Sequence, residues 1–361
     1  MPKKIILDCD PGHDDAVAIM LAAASKEIEL LGITCVGGNV GLDNTVNNAL
    51  KVCTLIERTD LKVFSGAKKP IHYDLFTAEY VHGKTGLDKK GDPIEVSSNY
   101  KVQEQDAIDF IVETCKSSND QIYLCPTGPL TNIALSLQKD PSIKEKIKEI
   151  IFMGGAAMCL GNTTPSAEFN IFVDPHAANI VLGSGIPMTM MGLDVTHQVN
   201  VNRNIMNYME ENNNKSSKFF SELMEFYTIF HKELYETEDT PLHDPCVIAY
   251  LLDPSIFSGK LVNVIVEEDS ELTRGETIVD WLGVTNRKPN CFVMDKADDK
   301  KFFQLLKNKF ATLPYELNFF EILPANNALL IIKAVLASSV LFLERALISL
   351  IKKGVKSLPL M

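Results

Sequence analysis

Short, continuously apolar runs alternate along the chain with segments whose apolar positions recur every three or four residues. The runs at 4–7, 30–36, 121–125, 150–153 and 188–192 read as strands. Each is followed by a turn rich in Gly, Pro or Asp and then by a helical pattern, at 14–24 after the first and 42–57 after the second. Uninterrupted apolar strands separated by helices predict an α/β fold, a mostly parallel central sheet flanked by helices. Residues 202–236 read as helix. Residues 261–294 turn strand-like and more polar, as a peripheral sheet or edge would. No internal repeat or low-complexity linker is visible, so a single domain over residues 1–313 is expected. Ligands of such sheets bind beyond the carboxyl ends of the strands. That rule points at the loops beginning at Asp8, Gly37, Pro126, Gly154 and Leu193.

Residues 314–361 form an apolar C-terminal extension of unknown role. Within it Leu329, Ile332, Leu336, Val340, Leu343, Leu347 and Leu350 recur at steps of three and four, with Lys333, Glu344, Arg345 and Lys352 off that stripe. The pattern predicts an extra amphipathic helix. The apolar run before Glu344 holds only about 16 residues and includes Lys333, whereas a membrane span needs about 20. Docking on its own domain or on another subunit is the first expectation. Binding to a membrane surface through Lys352, Lys353 and Lys356 is the second, and a segment without function the third.

Composition narrows the partners. Of 361 residues, 46% are hydrophobic and 23% charged, ordinary for a globular protein with a sizeable core. The formal net charge of −12 argues against nucleic acid, whose phosphates need clustered Lys and Arg. It suits a neutral small substrate and carboxylates gathered on a divalent cation. Eight cysteines stand singly with no C-x-x-C pair, so no zinc or thioredoxin-like motif is signalled. They read as small buried hydrophobes of a reducing compartment. The four residues before Ile5 are too few for a signal peptide, and a cytoplasmic setting is expected.

The densest chemistry is Asp8-Cys9-Asp10-Pro11-Gly12-His13-Asp14-Asp15, directly after the first strand. Four carboxylates in eight residues repel one another unless a cation neutralises them. With no soft ligand present, the donors suit Ca²⁺ or Mg²⁺. A plain alternative is a solvated turn in which Asp14 caps the next helix. A rival chemistry is that of haloacid-dehalogenase-like phosphatases, in which Asp8 would be a phosphoryl-accepting nucleophile with Mg²⁺. Those usually continue Gly-Thr, and Pro-Gly-His-Asp-Asp stands here instead. A second group, Asn162 with Glu168-Phe169-Asn170, carries side chains that grip vicinal hydroxyls, or is an ordinary polar loop. A third, His243-Asp244-Pro245, either caps a helix through Asp244 or completes a metal shell with an imidazole beside it.

Taken in order, Asp8-x-Asp10-x-x-x-Asp14-Asp15, Gly37-Gly38-Asn39, the block from Pro126 to Asn132, Met153-Gly154-Gly155, Ala167-Glu168-Phe169-Asn170 and His243-Asp244 resemble the inosine-uridine-preferring nucleoside hydrolases. The resemblance runs from about Lys3 to about Leu313 and implies that family's Rossmann-like fold. It implies hydrolysis of the N-glycosidic bond of purine or pyrimidine ribonucleosides to ribose and free base by a Ca²⁺-bound water. Asp10, Asp15, Asp244 and the Thr127 carbonyl would bind Ca²⁺, with Asp8 supporting them from behind. Asn39, Asn162, Glu168, Asn170 and Asp14 would surround the ribose and the water, Asp14 serving as general base. His243 matches a histidine near the base and would protonate a departing purine. His82 matches one on a mobile loop over the base, and His82, Tyr227 or His231 would serve pyrimidines. A homodimer or homotetramer is expected. Two departures fall on the base side: Lys84 stands where His-Gly-Glu-Thr-Gly is common, and His231 where some relatives carry tyrosine. A non-catalytic nucleoside- or ribose-binding module on the same fold is the remaining alternative.

Overall fold

The computed structural model describes residues 2–90, 93–237 and 239–314. At its centre is β1 (Lys3–Cys9), whose Ile5, Leu7 and Cys9 join one apolar cluster while Ile6 joins the other. A strand buried on both faces needs no polar side chain until it ends, which is why this run is continuously apolar. The sheet continues through β2 (Ile28–Cys35), β3 (Val63–Ser65), β4 (Ile122–Pro126), β5 (Ile147–Met153) and β6 (Met188–Met191). Its eight strands run β3-β2-β1-β4-β5-β6, then Cys291–Ala297, then Phe257–Val262 at the edge. All neighbours are parallel except that last pair.

The chain leaves β1 for β2 and β3 on one side and returns to β4 on the other. The carboxyl ends of β1 and β4 therefore flank the point where the connections diverge, the crevice in which open α/β sheets bind ligands. Asp8 sits there in register with Thr34 on β2 and Pro126 on β4. The helix α1 (His13–Ala23) starts at this crevice and packs on the helix Pro245–Leu252. Both are buried along most of their length, which brings Asp14, Asp15 and Asp244 together.

Two expectations need correction, and one strand was not foreseen. The helical stretch at 202–236 is two helices, Arg203–Glu210 and Lys215–Tyr235. Asn213 breaks it in the left-handed region (φ 51°), and Asn214 caps the second helix through Ser217 N. Cys291–Ala297 is not peripheral: it lies inside the main sheet, parallel to β6. Of this part of the chain, Phe257–Val262 forms one edge of the main sheet, opposite the β3 edge, and Val264–Val266 pairs with Thr277–Val279 as a separate ribbon. The unforeseen strand is β3, whose three residues were too few to announce it.

All eight cysteines are free and seven are buried. Among the described residues no helix is long and apolar enough to cross a membrane. The amphipathic helix expected within 314–361 lies outside the described residues beyond Pro314.

Candidate active site

The acidic turn divides its carboxylates between structure and pocket. Asp8 is fully buried. Its Oδ1 accepts from Thr34 Oγ1 at 2.6 Å and Asn132 Nδ2 at 2.8 Å, and burial pushes its pKa up to about 7. It does not line the pocket, so it has no open approach for a phosphoryl group, and the phosphatase alternative loses its nucleophile. Asp15, not Asp14, closes the start of α1: its Oδ2 accepts from Gly12 N at 2.9 Å. Its Oδ1 accepts from Thr127 Oγ1 at 2.8 Å. Asp14 is released from capping and lines the pocket. Asp244 begins the helix Pro245–Leu252 with helical dihedrals (φ −65°, ψ −37°) and makes no side-chain cap bond. Its carboxylate is also left for the site.

One oxygen from each of Asp14, Asp15 and Asp244 lies within 4.8 Å of the other two, and all three residues are buried. Asp10 stands outside this trio. Its Oδ2 accepts from Asn39 N at 2.6 Å, while Oδ1 is buried without a partner. Gly38 permits that approach, since a Cβ there would fall 2.0 Å from Asp10 Oδ2. No lysine or arginine among the described residues lines the pocket. Burial first, and mutual repulsion after it, raises Asp10 and Asp244 well above the carboxylate range and Asp14 to about 7. Asp15 is raised too, by burial. Four uncompensated buried carboxylates demand protons or a cation, and their all-oxygen donor set fits a hard divalent ion.

The opposite wall is a set of amides whose remaining atoms are fixed by subtraction. Asn170 donates Nδ2 to the Thr127 carbonyl at 2.8 Å and to the Met153 carbonyl at 3.2 Å, leaving Oδ1 as an acceptor. Asn162 accepts the Phe169 N–H at Oδ1 (2.9 Å), leaving Nδ2 as a donor. Asn39 spends Nδ2 on the Asp10 carbonyl at 3.1 Å and on Asp15 Oδ2 at 3.3 Å. Glu168 caps a short helix through Asn170 N and Ile171 N and takes Gly155 N at 2.9 Å, so three backbone bonds anchor it. Mixed donors and acceptors held this rigidly suit sugar hydroxyls, each of which both gives and takes.

The remaining wall is aromatic. His82 ends the short helix Glu79–His82, and Tyr227 and His231 project from Lys215–Tyr235. His82 and Tyr227 stack at 5.4 Å, and Tyr227 meets His231 edge-on at 5.0 Å. His243 Nδ1 lies 2.7 Å from Thr196 Oγ1. Thr127, Asp14, Asp244, Asn39, Asn162, Glu168, Asn170, His82, Tyr227, His231 and His243 thus line one pocket; Asp8, Asp10 and Asp15 lie behind its wall. Lys84 is exposed and is not part of the lining.

The model of the family described as inosine-uridine preferring nucleoside hydrolase matches residues 5–304. The chain belongs to the nucleoside hydrolase family. A pyrimidine-specific ribonucleoside hydrolase, RihA, of Shewanella sp. (strain ANA-3) is 44% identical over 312 residues, which cover 86% of this chain and 97% of that protein. An uncharacterized Schizosaccharomyces pombe protein is 42% identical over 312 residues, all of its own length and 86% of this chain. Among solved structures, the purine-preferring ribonucleoside hydrolase from Gardnerella vaginalis superposes with a TM-score of 0.79 at 34% identity, covering 86% of this chain and 98% of its own. The plant nucleoside hydrolase PpNRh1 does so with a TM-score of 0.81 at 31% identity, covering 86% and 99%. This nucleoside hydrolase is an enzyme that cleaves the N-glycosidic bond of ribonucleosides.

Its pocket also contains residues that the sequence reading passed over. Tyr80, Phe169 and His197 line it as well. Phe169 stands inside the Glu-Phe-Asn group and His197 follows the loop at Leu193, so position relative to strand ends was the available signal. His13, inside the acidic turn, stacks on Tyr227 at 5.3 Å behind the aromatic wall. Burial lowers all the histidines of this wall: His13 and His231 to about 4, His82 and His243 well below the ordinary value. The nucleoside hydrolase therefore presents neutral imidazoles at pH 7.

Proposed function

We propose that this nucleoside hydrolase acts on pyrimidine ribonucleosides in the cytoplasm, as a homodimer or homotetramer, with Ca²⁺ at the acidic cluster and Asp14 as general base. The observation that carries the proposal is the buried trio Asp14, Asp15 and Asp244 with no lysine or arginine among the described residues that line the pocket beside it. Asp10, Asp15, Asp244 and the Thr127 carbonyl would hold the ion, with Asp8 fixing the base of the cluster through Thr34 and Asn132. Two observations favour this set: Asp10 Oδ1 is buried and unpartnered, and every donor is oxygen. When bound, Ca²⁺ offsets the carboxylate charge and acidifies water. The pyrimidine assignment follows the specificity named for the RihA relative. The eight free cysteines suit a reducing compartment.

Glycosidic cleavage leaves positive charge on the ribosyl ring, so residues holding the sugar accelerate the reaction only if they hold the cation more tightly. Asn39, Asn162, Glu168 and Asn170 are anchored before substrate arrives, which spares reorganisation at that moment. Asp14, free of capping and lining the pocket, takes the proton of the attacking water. His243, held neutral with Thr196 at Nδ1, assists the departing base by hydrogen bonding rather than as an imidazolium. His82, Tyr227 and His231 surround a pyrimidine. Ribose release from uridine, with and without chelator and then with added Ca²⁺ or Mg²⁺, tests the proposal. Full activity in chelator, or recovery with Mg²⁺ but not Ca²⁺, would remove the calcium assignment.

A further inference from the structure

His13 is enclosed, fully buried, and bonded at both ring nitrogens. Its Nε2 lies 2.6 Å from the Asp88 carbonyl, and its Nδ1 lies 2.9 Å from His82 Nδ1. A carbonyl only accepts, so His13 must carry its proton on Nε2. A neutral imidazole then has a lone pair on Nδ1, and the short contact requires His82 to donate from its own Nδ1. The His13 backbone N–H also approaches His82 Nδ1, but at 3.4 Å it is the weaker contact and does not reverse this order. With Nδ1 committed, Nε2 is the only ring nitrogen His82 has left for the pocket that it lines. The contact depends on the turn as well: a Cβ at Gly12 would fall 2.7 Å from His82 Nδ1.

The same three residues tie two loops together. The Asp88 carboxylate accepts the Lys84 N–H at 3.1 Å and the Thr85 hydroxyl, closing the loop after His82 on itself. His13 joins that loop, through Asp88, to the turn that holds the acidic cluster. Its spacing in sequence gives no hint of this, because its partners are 69 and 75 residues away.

We propose that His13 is a positioning residue that holds His82 in the Nδ1–H tautomer. His82 thereby offers the leaving base a lone pair at Nε2, and the site recognises an N–H on the base edge. The inference rests on the nucleoside reading of the pocket. It assigns His82 the part of hydrogen-bond acceptor toward substrate, opposite to that of an acid.

Imidazole ¹⁵N spectra of the whole enzyme, with the His82 signals assigned through His82→Gln, read the tautomer directly. The expected spectrum has His82 protonated at Nδ1; a proton on Nε2 in the unmodified enzyme would overturn the proposal without any variant. His13→Leu removes the acceptor, and His13→Asn returns an oxygen near the place of Nδ1. On uridine, His13→Leu is expected to lose roughly tenfold in kcat/KM, the worth of one well-made buried hydrogen bond, and His13→Asn to recover most of it. On 4-nitrophenyl riboside, whose leaving group has no N–H, both variants stay within about twofold of the parent. Equal losses on the two substrates would make His13 merely structural and sink the proposal. If His13→Leu does not fold, His13→Asn and the parent spectrum still decide. Failure of the parent enzyme to release uracil would count against the nucleoside reading instead, leaving the tautomer measurable.

Discussion

Cation binding at the acidic cluster should depend steeply on pH, because burial holds protons where the ion must sit. Asp14 titrates near 7 in the cation-free protein, against 3.8 for a free aspartate. At pH 5.5 a carboxyl of that kind is ionised in about one copy in thirty, and at pH 7.5 in about three of four. A cation held by Asp10, Asp15 and Asp244 favours the ionised form of the neighbouring Asp14, and that linkage raises its affinity by up to about 25-fold across the interval, close to 2 kcal/mol. Asp10, Asp15 and Asp244, raised by the same burial, steepen the dependence further. His13 and His231 titrate near 4, so they stay neutral throughout the range and add nothing to it. The sign follows from linkage. A folded pKa above the unfolded one lowers the stability of the cation-free fold as pH climbs from about 4 to about 7, by about 4 kcal/mol for a group like Asp14. A bound cation restores it. Titration calorimetry with CaCl₂ at pH 5.5, 6.5 and 7.5, in buffers of different ionisation enthalpy, reads both affinity and protons released. An affinity flat within about twofold and no proton release would refute the reasoning, since the carboxylates would then be ionised without the ion.

Three further outcomes are expected. Asp14→Ala should lower kcat on uridine by roughly 10²–10⁴, the range for a lost general base, with a smaller change in KM; ribose-release kinetics would show near-full turnover if the assignment is wrong. Gly38→Ala should destabilise the protein by about 1–3 kcal/mol in urea unfolding and weaken Ca²⁺ binding. Its new Cβ would lie 2.0 Å from Asp10 Oδ2 and 2.9 Å from Pro129 Cδ, so an unchanged midpoint and affinity would mean the turn is looser than described. Lys89→Ala breaks a 2.7 Å ion pair with Glu222 whose side chains are 8% and 24% exposed. It should cost about 1–2 kcal/mol, between a surface pair and a buried one, and raise KM for uridine by loosening the loop at 88–90, then tied to the helix that carries Tyr227 through Lys90 and Glu225.

The parts of this fold legible in sequence were those where one physical demand acts alone. The stretches of β1, β4, β5 and β6 buried on both faces are almost wholly apolar, with Asp8 and Thr189 as exceptions, and so the runs announce themselves. Cys291–Ala297 obeys a mixed demand: Cys291, Val293 and Met294 are buried but Phe292 is partly exposed, although the strand is interior to the sheet. Its pattern therefore resembles that of an edge. The break between Arg203–Glu210 and Lys215–Tyr235 was signalled only by Asn212-Asn213-Asn214, since apolar spacing continues across it.

The acidic turn shows where sequence reasoning stops. Spacing gathers Asp8, Asp10, Asp14 and Asp15 but cannot divide them, because dihedral angles decide which carboxylate meets an N–H and which meets the pocket. Extended Gly12 turns its N–H toward Asp15, and that single bond frees Asp14. Asp244 escapes capping for the converse reason, its own helical dihedrals. The two aspartates that sequence most readily explains as helix caps are therefore the two that capping does not use. Burial of these two carboxylates beside one another raises both pKa values and costs stability, and the pocket they face is where that cost is offset.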